Sequence, residues 1–188
     1  MKPVLTAERA GRIRLVVLDV DGVLTDGGLY IGATVDGTPV EFKRFEITDQ
    51  LGVKMLVWSG LEVAMVSGRA SASNRLRADE LGIPFYEGPG GYKLDIVERL
   101  HEQHSAGWQE TACLCDDLAD LPLMRRAGLA VAVANAVPEI RAAAHWTTAR
   151  QGGHGAVREF AEALLRARGE WNPMVEEYVR KRETVRPA

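Results

Sequence analysis

Five short apolar runs, at 13–18, 62–66, 83–86, 112–115 and 129–133, punctuate the chain, with a helix-capable segment between each and the next. Runs that are apolar almost throughout, rich in Val, Ile and Leu, suit strands covered on both faces of a parallel sheet. Strand and helix in regular succession predict a doubly wound α/β domain. With 188 residues and 46% hydrophobic content the chain has material for one such domain with a sizeable core, and too little for two.

Several helix ends are readable. Thr48 is expected to cap a helix that runs to Ser59, with Gly60 after it; another starts near Ser71 and stops at Gly82. Leu94, Val97 and Leu100 mark one face of a third helix, and Val157, Phe160, Leu164 and Leu165 the buried face of a fourth at 156–168, ended by Gly169. Between 29 and 47 the alternation breaks. Two strand-like stretches flank Asp36-Gly37, a hairpin-turn dipeptide, which predicts a projecting β-hairpin. The segment 170–188, charged and containing Pro173 and Pro187, is expected to be a tail or short terminal helix outside a domain spanning 12–169.

The formal net charge is −3 and the 23 Lys and Arg are dispersed, so there is no basic stripe of the kind that binds nucleic acid. Residues 1–11 lack the apolar centre of a signal peptide, and no stretch approaches the ~18 apolar residues of a membrane span. A cytoplasmic protein without nucleic-acid or membrane partners is the expectation. Cys113 and Cys115 share one face of a predicted strand, but no further cysteine and no closely spaced histidines complete a zinc tetrahedron, and buried thiols are the simpler reading.

The segment from Asp19 through Asp21, Gly22 and Thr25 to Asp26 follows directly on the first run. Its carboxylates therefore emerge at the C-terminal edge of the sheet, where open α/β sheets bind ligands. Two carboxylates there can divide labour: one attacks phosphorus, and the other, set apart by burial and a like charge, moves protons. Asp116-Asp117-Leu118-Ala119-Asp120 leaves the run 112–115 in the same way. Two acidic clusters at one edge repel unless a cation joins them, and an oxygen-only donor set suits Mg2+. Ser67-Gly68-Arg69 ends another run and offers a hydroxyl and turn amides to a phosphoryl oxygen; Lys93, after Gly88-Pro89-Gly90-Gly91, offers a point charge. Singly these are weak signals, since an acidic loop is usually a solvated turn, a Ser-Gly a cap and a lone lysine a surface group. Jointly, each behind a predicted strand, they are strong.

The ordered set D-x-D-G-V-L-T-D, S-G-R, K and D-D-x-x-D resembles the four motifs of the haloacid dehalogenase (HAD) phosphatases. A phosphoryl-accepting receiver domain uses similar residues, but its acidic pair does not come last. The resemblance implies that Asp19 is the nucleophile and a metal ligand. It makes Asp21 the general acid and base, which also offers its backbone carbonyl to Mg2+. Ser67, Gly68, Arg69 and Lys93 would hold the phosphoryl group, Asp116 would complete the metal site, and Asp117 and Asp120 would support it.

A closer resemblance, over roughly 12–168, is to the cap-less branch of that family that contains 3-deoxy-D-manno-octulosonate 8-phosphate (KDO 8-phosphate) phosphatase. It is carried by Leu24-Thr25-Asp26-Gly27, the hairpin, Lys43-Arg44-Phe45 leading to Asp49, Ser67-Gly68-Arg69-Ala70-Ser71, and the run from Gly152 and Gly153 to Arg158 and Glu159. Spacing agrees independently. The 45 residues between Asp21 and Ser67 hold only the hairpin and one helix, and the 22 between Lys93 and Asp116 one helix and a strand, so neither gap holds a cap domain. The implied reaction is Mg-dependent hydrolysis of a phosphorylated sugar acid through an aspartyl phosphate, with KDO 8-phosphate first and a nine-carbon sialic-type 9-phosphate second. A non-catalytic assembly role, as in related domains attached to acidic-sugar cytidylyltransferases, is a third reading.

Departures from the branch bear on substrate. Cys115 stands where Gly is usual and Ala119 where Asn is common, both compatible with hydrolysis. Thr48-Asp49-Gln50 replaces a basic residue followed by Asp-Gly, and His154 replaces Arg, near where a sugar-acid carboxylate would be read. With no cap, something else must exclude water from the site. Leu29, Tyr30, Ile31, Val35, Val40 and Phe42 give the hairpin more apolar surface than an isolated ribbon leaves in water. A homotetramer is therefore expected, with hairpins meeting in a central barrel and neighbours covering each site. The alternative is a monomer whose hairpin folds back over its own sheet.

Overall fold

In the computed structural model, which describes residues 5–183, the apolar runs become strands of one parallel sheet. In chain order the strands are β1 (Leu15–Leu18), β2 (Tyr30–Ala33), β3 (Pro39–Phe42), β4 (Glu62–Ser67), β5 (Phe85–Glu87), β6 (Thr111–Cys115), β7 (Leu129–Ala132) and β8 (Trp146–Thr147). The helices are α1 (Ala7–Arg12), α2 (Ile47–Trp58), α3 (Ala72–Leu81), α4 (Leu94–His104), α5 (Leu121–Met124), α6 (Pro138–Ala143), α7 (Ala156–Ala167) and α8 (Trp171–Glu183). The sheet order is β5-β4-β1-β6-β7-β8, parallel at every pairing. The chain thus winds outward from β1 to β5, crosses back, and winds outward again from β6 to β8. The reversal of direction opens a crevice at the C-terminal end of β1, which is where such sheets take ligands.

All residues of β1, β6 and β7 are buried, as a sheet covered on both faces requires. α2 packs on α7, and the core continues through Ala10 of α1 to Trp171 of α8. The Trp171 ring is itself covered by the guanidinium groups of Arg158 and Arg166, at 5.0 and 5.5 Å from its centroid. The expected tail is thus a 13-residue helix as far as Glu183; the remainder, 184–188, lies outside the described residues. Among the described residues no helix is long and apolar enough to cross a membrane.

Four elements, α1, α5, α6 and β8, are short and have no periodic apolar pattern of their own. Thr48 is not the cap of α2. The helix begins at Ile47, two residues earlier than a Thr48 cap implies, and the Glu46 carboxylate accepts from the Thr48 backbone N–H, a position where negative charge also favours the helix N-terminus. Ser71 does cap α3, accepting from the Asn74 N–H. The hairpin β2–β3 pairs Tyr30 with Phe42 and Gly32 with Val40 and, among the described residues, joins no other strand.

Candidate active site

Asp19 leaves the buried end of β1 with its N–H bonded to Leu114 O on β6 (3.1 Å). The following turn, Val20–Leu24, is shaped from inside by the buried Thr25 hydroxyl, which accepts from the N–H groups of Gly22 and Gly27 (3.2 Å each). Behind it the loop at Gly152-Gly153 lies so close that a Cβ at Gly152 would sit 1.7 Å from Gly22 O. Asn135 fastens the two, accepting from Gly152 N (2.7 Å) and donating to Gly22 O (3.3 Å). Residues more than a hundred positions away thus fix the loop that carries Asp19 and Asp21.

Lys93, just before α4, is buried, and its ammonium lies 2.6 Å from Asp19 Oδ1 and 2.6 Å from Asp120 Oδ1. A cation at a helix N-terminus opposes the helix dipole, so the two carboxylates are what holds it there. Burial alone would lower the proton affinity of Lys93; Asp19 and Asp120 more than offset that and hold it charged well above the usual lysine range. Carboxylate oxygens of Asp19, Asp116 and Asp120 lie within 4.8 Å of one another, the one such group of potential metal ligands among the described residues. Burial first, and then the Asp19 charge, push the Asp116 carboxyl up to about 8; the same two causes push Asp120 up to about 7 against the pull of Lys93. Asp116 Oδ1 is buried without a hydrogen-bond partner. An orphaned carboxylate oxygen in a cluster of three acids fits a hard divalent cation.

The other predicted residues divide. Asp21 is paired with a cation: its Oδ1 is 2.6 Å from Lys43 Nζ, and its Oδ2 is 3.2 Å from the Ser67 hydroxyl. Lys43, at the foot of the hairpin, is brought over the turn by tertiary packing. Ser67 also accepts from Arg69 N (3.1 Å), while the Arg69 guanidinium turns onto Glu41 of β3 (2.8 Å). Asp117 is exposed, accepts from Leu118 N (2.7 Å) to cap the next turn, and lines the cleft beside the carboxylate cluster. Asp120, expected only in support, stands inside it. A cleft of about 290 Å³ at this edge is lined by Asp19, Asp21, Gly68, Lys93, Asp116 and Asp120, among others. Asp49 is elsewhere: it is buried and accepts from Arg158 N (2.7 Å) at the start of α7. His154 Nδ1 lies 3.4 Å from the Arg44 guanidinium. The two cysteines are fully buried and free, and burial raises both thiols far above their ordinary range.

A family profile described as haloacid dehalogenase-like hydrolase matches residues 88–160. The 3-deoxy-D-manno-octulosonate 8-phosphate phosphatase KdsC of Escherichia coli K12 is 40% identical over 162 residues, 86% of this chain and 84% of that one. The chain belongs to the KDO 8-phosphate phosphatase family of the HAD hydrolases. Among solved structures of the family, the phosphatase from Moraxella catarrhalis, in complex with magnesium ion, phosphate ion and KDO, superposes with a TM-score of 0.83 at 35% identity, covering 92% of this chain and 97% of that one. The Yersinia pestis phosphatase gives 0.82 at 38% identity, covering 88% and 87%. This member of the family is a phosphatase with an α/β HAD fold.

Three residues at the phosphatase site escaped assignment from sequence. Lys43 belongs to a run that marks the branch but carries no chemical signal by itself. Asn74, fully buried in the first turn of α3, bridges Lys43 Nζ (3.0 Å) and Ser67 Oγ (3.4 Å). Asn135 holds the Gly152 loop. Asn74 and Asn135 do not come directly after a strand, and Lys43 follows the hairpin strand β3 rather than a strand of the parallel sheet, so the rule that found the acidic motifs could not find them.

Proposed function

We propose that this phosphatase hydrolyses KDO 8-phosphate through an aspartyl phosphate on Asp19, with Mg2+ at the carboxylate cluster. The observation that carries the reading is the Lys93 ammonium, 2.6 Å from Asp19 and from Asp120, beside the unpartnered Asp116 Oδ1. Holding Asp19 by one oxygen leaves the other for in-line attack on phosphorus. The ester P–O bond breaks as the new one forms, and the leaving alkoxide takes a proton from Asp21. Water then attacks the phosphorus of the aspartyl phosphate and gives its proton to Asp21, and orthophosphate departs with the Asp19 carboxylate restored. Ser67 and Lys93 bind the phosphoryl oxygens, with Gly68 and the Arg69 amide shaping the turn beneath them. Asp19 and Asp116, with the backbone carbonyl of Asp21, would hold Mg2+; when bound it supplies positive charge that offsets the phosphoryl and carboxylate charges. Asp120 then holds Lys93 rather than the metal.

KDO 8-phosphate is put first because the relatives named above act on it and one binds KDO with magnesium and phosphate. The Thr48, Gln50 and His154 departures keep the nine-carbon sialic-type 9-phosphate as the second candidate. In the same reading 12–169 is the catalytic domain of a cytoplasmic homotetramer, and the helix beyond it reaches toward a neighbour. The test is phosphate release from a panel of sugar-acid phosphates in Mg2+ and in chelator, with Asp19→Asn as the blank. KDO 8-phosphate should be turned over fastest, only with metal, and not at all by Asp19→Asn. Equal turnover in chelator, or substantial activity in that variant, sinks the mechanism; preference for the nine-carbon acid replaces the substrate.

A further inference from the structure

Lys43, supplied by the foot of the hairpin, is held on several sides. Its side chain is 1% exposed, its ammonium 2.6 Å from Asp21 Oδ1 and 3.0 Å from Asn74 Oδ1. A lysine so buried needs such partners, because an uncompensated buried charge is strongly destabilising. From Asn74 the contacts return through Nδ2 to the Ser67 hydroxyl (3.4 Å), and from Ser67 to Asp21 Oδ2 (3.2 Å). Lys43, Asp21, Ser67 and Asn74 thus close a ring in which each oxygen of the Asp21 carboxylate has its own partner. The Asp21 side chain is still 35% exposed toward the cleft.

The strand next to Lys43 is built to keep it there. Glu41 of β3 accepts from the Ser71 hydroxyl (2.6 Å), pairs with Arg69 (2.8 Å) and lies 3.7 Å from Lys43 Nζ. Its backbone carbonyl accepts from the Ser73 hydroxyl (3.1 Å). The hairpin's foot is therefore fastened to the loop after β4 by contacts on both sides of one residue. A lysine that served only to fill space would need none of this.

We propose that Lys43 is a positioning residue for proton transfer: it fixes the rotamer of the Asp21 carboxylate, and through Asn74 its distance from the phosphate-binding hydroxyl of Ser67. This rests on the reading of Asp21 as the general acid and base. The residue acts through Asp21 and does not touch the reacting atoms. A carboxylate free to swing loses the alignment on which acid catalysis depends, and general acid–base catalysis contributes about 10²–10⁴-fold.

The test compares kcat/KM, which reports steps up to phosphorylation of Asp19, for an alkyl phosphate (KDO 8-phosphate) and para-nitrophenyl phosphate, whose leaving group scarcely needs a proton. Lys43→Met should lower the alkyl-to-aryl ratio by about tenfold or more, in the same direction as Asp21→Asn, and the double variant should be no worse on the alkyl ester than Asp21→Asn alone. Inhibition by inorganic phosphate reports an intact phosphate site, and Lys43→Gln serves the same comparison if Lys43→Met does not fold. A purely structural role for Lys43 would lower both substrates equally. A ratio that changes in Asp21→Asn but not in the Lys43 variants overturns the proposal alone; an unchanged ratio in Asp21→Asn overturns the Asp21 reading and the proposal with it.

Discussion

Gly22 and Asp116 are in such close contact that a Cβ on Gly22 would lie 2.0 Å from Asp116 Oδ2. Gly22 also has φ +97°, a conformation that L side chains rarely adopt. The turn after the nucleophile is therefore specified twice, by its own backbone and by the acidic loop it meets.

Gly22→Ala should accordingly damage both stability and turnover. The positive φ alone costs about 1–2 kcal/mol, and relieving the clash displaces either Asp21 or Asp116. A shift of about 1 Å at such a site can cost on the order of 10²-fold in rate. Thermal melts and phosphate release check the two effects; a variant with wild-type turnover would show that the contact does not position the site.

Metal binding should be visible in stability as well as in activity. Asp116 and Asp120 are raised from an ordinary 3.8 to about 8 and about 7. Groups whose folded pKa lies above the unfolded one stabilise fully below about pH 4, and that contribution is lost as pH rises through about 7–8. Metal-free protein should therefore lose stability across this window, Mg2+ should restore it, and Asp116→Asn should lose less while needing more Mg2+ for activity. Melting curves from pH 4 to 8, with and without Mg2+, decide it; parallel curves count against a cation at these carboxylates.

Asp49 makes a separate pH-dependent contribution. It is 1% exposed, its Oδ2 has no partner, and burial outweighs the Arg158 N–H in raising it from 3.8 to about 6. Stability contributed by this group is complete below pH 3.8 and lost as pH rises through about 6. At 1.36 kcal/mol per unit the loss reaches about 3 kcal/mol. Asp49→Asn keeps the acceptor for Arg158 N–H and removes the ionisation. Denaturant unfolding at both ends of the window should give the variant a pH dependence shallower by that amount, independent of Mg2+.

The hairpin should hold subunits together. Tyr30 and Phe42 are directly opposed on β2 and β3 and are 62% and 65% exposed, whereas Glu41, on the opposite face, is bound at the site. Phe42→Glu should therefore dissociate a tetramer without loosening the hairpin's foot. Light scattering at micromolar concentration should give four times the chain mass for the wild type and less for the variant. A fully active wild-type monomer would reject subunit capping.

The apolar runs were sufficient to identify the strands that matter, because a strand buried on both faces leaves no other pattern. Acidic motifs directly after those runs had to surface at one sheet edge, so Asp19, Asp116 and Lys93 could be brought together from their positions in the chain. The short elements α5, α6 and β8 were not legible, being too brief to show a period. Nor was the Glu46 cap, since Glu and Thr lie two apart and either can receive the helix N-terminus.

Sequence alone thus determined the doubly wound α/β class, the edge on which the site is built and the acids that reach it. All three are consequences of local periodicity and of the residue types placed directly after each strand. Only the tertiary structure decided the pairing: Asp120 with Lys93 and Asp19, Asp21 with Lys43, Arg69 with Glu41. The ion-paired partners are far apart in the chain, 22 residues for Lys43 and Asp21, 27 for Lys93 and Asp120, and 74 for Lys93 and Asp19. Which oxygen meets which cation depends on side-chain directions set by the packing of separate elements, and no local pattern encodes that.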